Sequence, residues 1–177
     1  NIIIPAYTDL DIRLTNLKTE INNFTESPTE NNLTAVRNSW GGAYISWQSV
    51  AMFNIRKAEE IFYADIMNSY PCNEVTIESN IQDSVYEISG ISISSLGTTG
   101  FPAIGYLLYG LGGDSTNVLS YYTSNDASRY NAYLHALIDN MMYNTGLVLN
   151  DWNNNRSEFV NSTGNSSTSS LNKIIND

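Results

Sequence analysis

The amino-terminal segment carries the most regular hydrophobic pattern in the chain. Its large apolar residues alternate between steps of three and four: Tyr7, Leu10, Leu14, Leu17, Ile21 and Phe24. This spacing places all of them on one face of a helix, which we predict from about Pro5 to Phe24. A long one-sided stripe of this kind is stable in water only when other elements cover it. The chain must therefore build a packed core around this helix.

Several later segments also predict helices. Ser27 and Glu30 around Pro28 form a start signal, with Ser27 as the N-cap and Glu30 closing a capping box. The helix that follows carries an apolar stripe that includes Trp40, Tyr44 and Trp47. Further helical patterns run through residues 52–70 with a break near Asn54, 75–88, 100–110, 125–152 and 171–177.

No pair of strands and no hairpin turn is recognisable, so the sequence predicts an all-α, up-and-down helical bundle. Residues 1–156 are predicted to form this bundle. Residues 157–177 are predicted to form a polar linker and the start of a second helical unit. The first residue is Asn1 and not Met, which leads us to expect a trimmed and exported product with a lipid anchor possible upstream.

Charge and cysteine content exclude several classes of function. The chain has 177 residues, a formal charge of −10 and a pI of about 4.3, which argues against nucleic acid as a partner. Cys72 is the only cysteine, so the chain has neither an internal disulfide nor a cysteine cluster for zinc. The longest apolar runs are too short to span a membrane.

Few residues carry recognisable chemistry. His135 is the only histidine and has no catalytic or metal-binding motif around it. Glu74 and Glu78 are spaced to share a helix face and could hold a hard cation. Most such pairs lie on solvated faces, and this is the interpretation that we favour. We therefore predict no catalytic residue and no metal ligand. The aromatic residues favour a core role or a ligand pocket, and the candidate lining residues are Trp47, Tyr106, Tyr109 and His135.

Four segments in order resemble a known family. They are Trp40-Gly-Gly-Ala-Tyr-Ile-Ser-Trp-Gln48, Phe53-Asn-Ile55, Tyr70-Pro71 and Gly100-Phe-Pro-Ala-Ile-Gly-Tyr-Leu-Leu-Tyr-Gly110. This arrangement resembles the imelysin family of exported bacterial proteins, which were first described as insulin-cleaving membrane proteases. The resemblance covers the whole chain as the amino-terminal half of an architecture with two helical bundles.

The chain departs from the family at the two positions that carry its chemistry. The family pattern after Gly100 is Gly-x-His-x-x-Glu, and this chain has Pro102 and Gly105 at the histidine and glutamate positions. Neither residue has a side chain that can ligate a metal or exchange a proton.

The resemblance implies a binding protein of the cell envelope, in the periplasm or at the cell surface, with a role in iron or haem acquisition. Its partner would be a small ligand, a metal or an envelope protein, and no residue here supports a particular cofactor. Two alternatives stay open. One is a metal-dependent peptidase whose site is completed elsewhere, and the other is a cell-surface module for protein interaction.

Overall fold

The computed structural model describes residues 2–85, 96–167 and 169–176, and the regular structure within them is entirely helical. Three long helices form the frame: α1 (Ile3–Glu26), α2 (Glu30–Gln48) and α8 (Ala127–Asn161). The shorter helices are α3 (Lys57–Glu60), α4 (Tyr63–Asn68), α5 (Glu74–Gln82), α6 (Gly100–Gly105), α7 (Ser115–Thr123) and α9 (Ser170–Asn176). The predicted all-α class is confirmed. Among the described helices, none combines the length and the apolar character needed to cross a bilayer.

Helix α1 contacts both α2 and α8 and holds the frame together. A short loop joins α1 to α2, so these two helices form an antiparallel hairpin. Helix α8 also runs antiparallel to α1, because Thr25 meets His135 near the start of α8 and Lys18 meets Asp139 one turn later. The apolar stripe predicted for α1 is completely buried between its neighbours. The result is the up-and-down bundle that the sequence predicts.

Helix α6 packs against α2, α4 and α8. It runs antiparallel to α2, since the indole of Trp40 donates to Phe101 O and the guanidinium of Arg37 donates to Leu108 O. The predicted apolar face of this segment is fully buried, and its members are Ile104, Leu107, Leu108 and Leu111.

The start of α2 differs from the prediction. Thr29 is the N-cap, and its hydroxyl accepts a hydrogen bond from the backbone N–H of Asn32 at 3.2 Å. Ser27 ends α1 instead, because its N–H donates to Asn23 O. The predicted capping box between Ser27 and Glu30 is therefore wrong, since Thr29 can also serve as a cap and directly precedes the helix.

Residues 52–70 show the largest difference from the prediction. The structure has two short helices here, α3 and α4, separated by bends where a largely continuous helix was expected. Arg56 and Phe62 adopt positive φ angles of 58° and 54°, which no helix interior accommodates. Tertiary contacts hold Arg56 there, because its guanidinium pairs with Asp151 at 3.0 Å and lies 5.9 Å from the centre of the Trp152 ring.

The later helices match the prediction with shifted boundaries. Helix α5 ends at Gln82, and Ile88, the end predicted for it, lies outside the described residues. Helix α8 continues through the polar residues 153–155 to Asn161. Helix α9 packs back on the bundle, where Lys173 meets Glu59 of α3 at 2.7 Å. The division of the chain after residue 156 stays a prediction.

Replacing Asp151 by asparagine should lower the free energy of unfolding by about 1–2 kcal/mol at pH 7. Burial raises the pKa of this carboxyl, but hydrogen bonds from Arg56 and Asn155 and the charge of Arg56 outweigh burial and leave the pKa below its ordinary value. A lowered pKa adds stability above the unfolded pKa of about 3.9. This contribution is lost as the pH falls through the folded pKa. Urea unfolding at pH 7 and pH 3 should therefore show a difference between the two proteins that shrinks with acidification, and a constant difference would contradict this assignment.

Candidate functional site

The helix that carries the family motif begins at a glycine that no other residue can replace without strain. Gly100 has a φ of 72°, and a Cβ atom on it would run into the backbone carbonyls of Met67 and Ile66. The Thr99 hydroxyl donates to the Ile66 carbonyl at 3.0 Å. The end of α4 therefore lies directly against the start of α6 and fixes its position.

The second half of the segment from Gly100 to Gly110 is wider than an α-helix. Residues Tyr106–Gly110 form one π-helical turn, a local expansion that is frequent at functional sites. Side chains from other helices donate hydrogen bonds to two backbone carbonyls of this turn. Arg37 donates to Leu108 O at 2.8 and 2.6 Å, and Tyr122 donates to Leu107 O at 3.2 Å. The expansion is thus stabilised by α2 and α7.

An open groove lies between this segment, α2 and the loop after α4. It has a volume of about 350 Å³ and is lined by Trp40, Tyr44, Asn68, Tyr70, Cys72, Phe101, Pro102, Gly105 and Tyr109. Trp40 and Tyr44 stack with an interplanar angle of 14°, and Tyr109 meets Trp40 edge-on at 5.6 Å. The walls are therefore mainly aromatic, and none of the described residues that line the groove is a carboxylate, a histidine or a lysine.

Pro102 and Gly105 both line this groove. Gly105 faces the indole of Trp40, since a Cβ atom at this position would lie 3.2 Å from Cζ2 of that ring. The absent side chain thus makes room for the tryptophan. Where the family pattern has a histidine and a glutamate, this chain has an apolar ring and an aromatic face.

Of the predicted lining residues, only Tyr109 belongs to the groove. Trp47 lies in the core, 3% exposed, and meets the Tyr63 ring edge-on at 5.4 Å. His135 lies between α8 and α1, where its Nε2 is 3.0 Å from the Thr25 hydroxyl. Tyr106 points toward α5 and donates to Glu78.

Three groove residues escaped the sequence analysis, and they lie at the end of α4 and on the loop that follows it: Asn68, Tyr70 and Cys72. A hydrogen bond from Asn73 N–H to Gly97 O, 2.8 Å long, ties this loop to the approach of α6. Burial and the charge of Glu74 raise the pKa of the Cys72 thiol. Trp40 and Tyr44 had a detectable signal, since they form an aromatic stripe with Trp47 at helical spacing.

A polar cluster lies beside the aromatic groove. The carboxylate of Glu78 on α5 accepts hydrogen bonds from the hydroxyls of Tyr106 at 2.9 Å and Tyr130 at 2.8 Å. Burial and this neighbouring carboxylate raise the pKa of both phenols. Both phenols are therefore protonated donors at neutral pH.

A catalytic metal of the peptidase type does not fit the residues at the motif. Pro102 and Gly105 supply no ligand, and the part of the chain that the structure describes holds no group of three or more His, Cys, Asp or Glu residues that could bind a metal. Hydrolysis by a metal-activated water requires such ligands. No hydrolytic step can be derived at this site.

Comparisons with known proteins identify the family. The crystal structure of an iron-regulated protein A precursor from Parabacteroides distasonis matches this fold with a TM-score of 0.73 and 20% sequence identity. The match covers 86% of this chain and 42% of that protein, so this chain spans less than half of its neighbour's length. No curated protein is similar enough in sequence to count as a match. The family model described as Imelysin (Peptidase_M75) matches residues 3–177, and the chain therefore belongs to the imelysin family.

Proposed function

We propose that this chain is a binding protein of the bacterial cell envelope that holds its ligand without hydrolysing it. The observation that carries the proposal is the character of the groove at the family's motif positions. Pro102 and Gly105 stand there among aromatic rings, and no carboxylate, histidine or lysine is among the described residues that line the groove. A site built in this way can bind apolar surface but lacks the His and Glu of the family pattern that could activate water.

The shape and chemistry of the groove favour a flat, largely apolar ring system. The nearly parallel rings of Trp40 and Tyr44 and the edge of Tyr109 supply stacking surface. Tyr70 stands at the rim and is 87% exposed, so a planar ligand larger than the cavity would extend along it. Haem is the biological ligand of this shape that we propose first.

The place of action that we propose is the periplasm or the cell surface, in iron or haem acquisition. The structural neighbour is described as an iron-regulated protein precursor, which supports both parts of this proposal by analogy. The division into a bundle of residues 1–156 and the beginning of a second unit at 157–177 belongs to the same proposal.

A titration with haem tests this function. We expect the haem absorption band to shift and to saturate at one haem per chain. Trp40→Ala should weaken the affinity by about tenfold or more, since it removes the central stacking surface. Tyr143→Phe is the matched control, because Tyr143 is exposed on α8 and does not line the groove.

The peptidase alternative predicts a different outcome. Purified protein incubated with a peptide substrate would then show hydrolysis that a chelator stops. We expect no such hydrolysis. Chelator-sensitive cleavage together with the absence of saturable haem binding would overturn the proposal.

A further inference from the structure

A second cavity, the α1–α8 pocket, lies between the start of α1 and the last turns of α8. It has a volume of about 230 Å³ and is lined by residues 2–4 and by Trp152, Arg156, Phe159 and Val160. It shares no lining residue with the aromatic groove. Its side chains are apolar except for the indole nitrogen and the guanidinium, so the pocket is suited to a largely apolar ligand.

Arg156 brings a positive charge without a partner to this pocket. The chain has eight lysine and arginine residues, and six of them form ion pairs. Arg37 is the seventh and donates to Leu108 O. Arg156 is exposed and has neither an ion pair nor a hydrogen bond in the part of the chain that the structure describes. No acidic residue lies three or four positions away from it on α8, so its charge stays available to a ligand.

Trp152 adds a hydrogen-bond donor that is also without a partner. Its side chain is 2% exposed, and its buried Nε1–H finds no acceptor among the described residues. The indole packs edge-on against the Phe159 ring at 5.1 Å. None of the described side chains that line the pocket carries a hydrogen-bond acceptor. The polar end of a complementary ligand is therefore an acceptor with a negative charge.

We propose that the α1–α8 pocket binds a medium-chain fatty carboxylate, with its head group at Arg156 and its alkyl chain along the apolar walls. A guanidinium donates two parallel hydrogen bonds to a carboxylate, and one cation matches the single charge of this head group. A peptide would bring backbone N–H groups, for which the lining side chains offer no acceptor. The proposal does not depend on the function proposed for the aromatic groove.

The size of the pocket sets the expected length of the alkyl chain. A methylene group is similar in size to a water molecule, which takes about 30 Å³ in the liquid, so the pocket holds about eight such groups. Calorimetric titrations with saturated carboxylates from hexanoate to dodecanoate, below micelle-forming concentrations, test this expectation. The affinity should rise about fourfold for each added methylene and level off near octanoate. Binding should saturate at one carboxylate per chain.

Three ligands and three variants test the role of the charge. Octanoate should bind at least tenfold more tightly than octanol or octyltrimethylammonium. Arg156→Gln should weaken octanoate binding by about tenfold and leave octanol binding unchanged. Val160→Glu places a negative charge at a position that is 56% exposed, and it should also weaken octanoate binding. Arg129→Gln, which removes an exposed positive charge near the start of α8, is the matched control and should have no effect.

Arg156 makes no contact that folding requires, so thermal unfolding of Arg156→Gln should match the wild-type protein, and its haem titration should be unchanged. Equal octanoate affinities of the wild-type protein, Arg156→Gln and Val160→Glu would overturn the inference. Equally tight binding of octyltrimethylammonium would overturn it as well. Self-association of the wild-type chain without any binding of octanoate would assign this pocket to a second copy of the chain instead and would also contradict the proposal.

Discussion

Replacing Gly100 by alanine should lower the free energy of unfolding by about 3 kcal/mol or more. Two costs add at this position. The φ angle of 72° is unfavourable for any residue with a Cβ atom, and that atom would run into the backbone carbonyls of Met67 and Ile66. Backbone atoms cannot turn away as a flexible side chain can, so α4 and α6 would have to separate. Chemical denaturation of the two proteins measures the difference.

Gly146→Ala is the matched control for this substitution. Gly146 lies inside α8, and a Cβ atom there meets nothing within 4 Å. Alanine should stabilise the helix at this position by up to about 1 kcal/mol. Equal effects of the two substitutions would show that α4 does not press against the start of α6.

Restoring the family's glutamate by Gly105→Glu should destabilise this chain by about 2–3 kcal/mol. The new Cβ atom would lie 3.2 Å from Cζ2 of Trp40, and the carboxylate would enter an apolar groove. Trp40 would have to move, which breaks its hydrogen bond to Phe101 O and its stacking on Tyr44. We expect haem binding to be lost in the same variant.

Gly42→Glu separates this effect from the general cost of adding a charge. Gly42 lies on α2, where a Cβ atom meets nothing within 4 Å. The free energy of unfolding of this variant should lie within about 0.5 kcal/mol of the wild-type value. An equally small effect of Gly105→Glu would contradict the claim that Trp40 occupies the space that the family's glutamate would need.

Periodic segments could be predicted from the sequence because their pattern reports the burial of one face. Helix α1 was expected from about Pro5 to Phe24 and extends from Ile3 to Glu26. Residues 52–70 could not be predicted in the same way. Their bends depend on positive φ angles at Arg56 and Phe62, and Arg56 is held by Asp151, 95 positions later in the chain.

The candidate site shows the same division. The segment from Gly100 to Gly110 was recognisable, and it places Pro102, Gly105 and Tyr109 in one groove. Tyr70 and Cys72 join them only because the loop after α4 folds back toward α6, and no local pattern encodes that approach. Tyr106 was predicted to line the pocket, but the π-helical turn directs it to Glu78 instead.

The binding of haem close to the groove can be tested through a single tryptophan, since emission that survives at saturation excludes it. The chain has three tryptophans, and the double variant Trp47→Phe/Trp152→Phe leaves only Trp40, in the wall of the groove. Haem absorbs at the wavelengths where tryptophan emits, so haem bound in the groove must quench this fluorescence by energy transfer. Our account predicts nearly complete quenching that saturates at one haem per chain. Emission that persists at saturating haem, or that falls linearly without saturation, would contradict the claim that the family's motif helix forms a binding groove here.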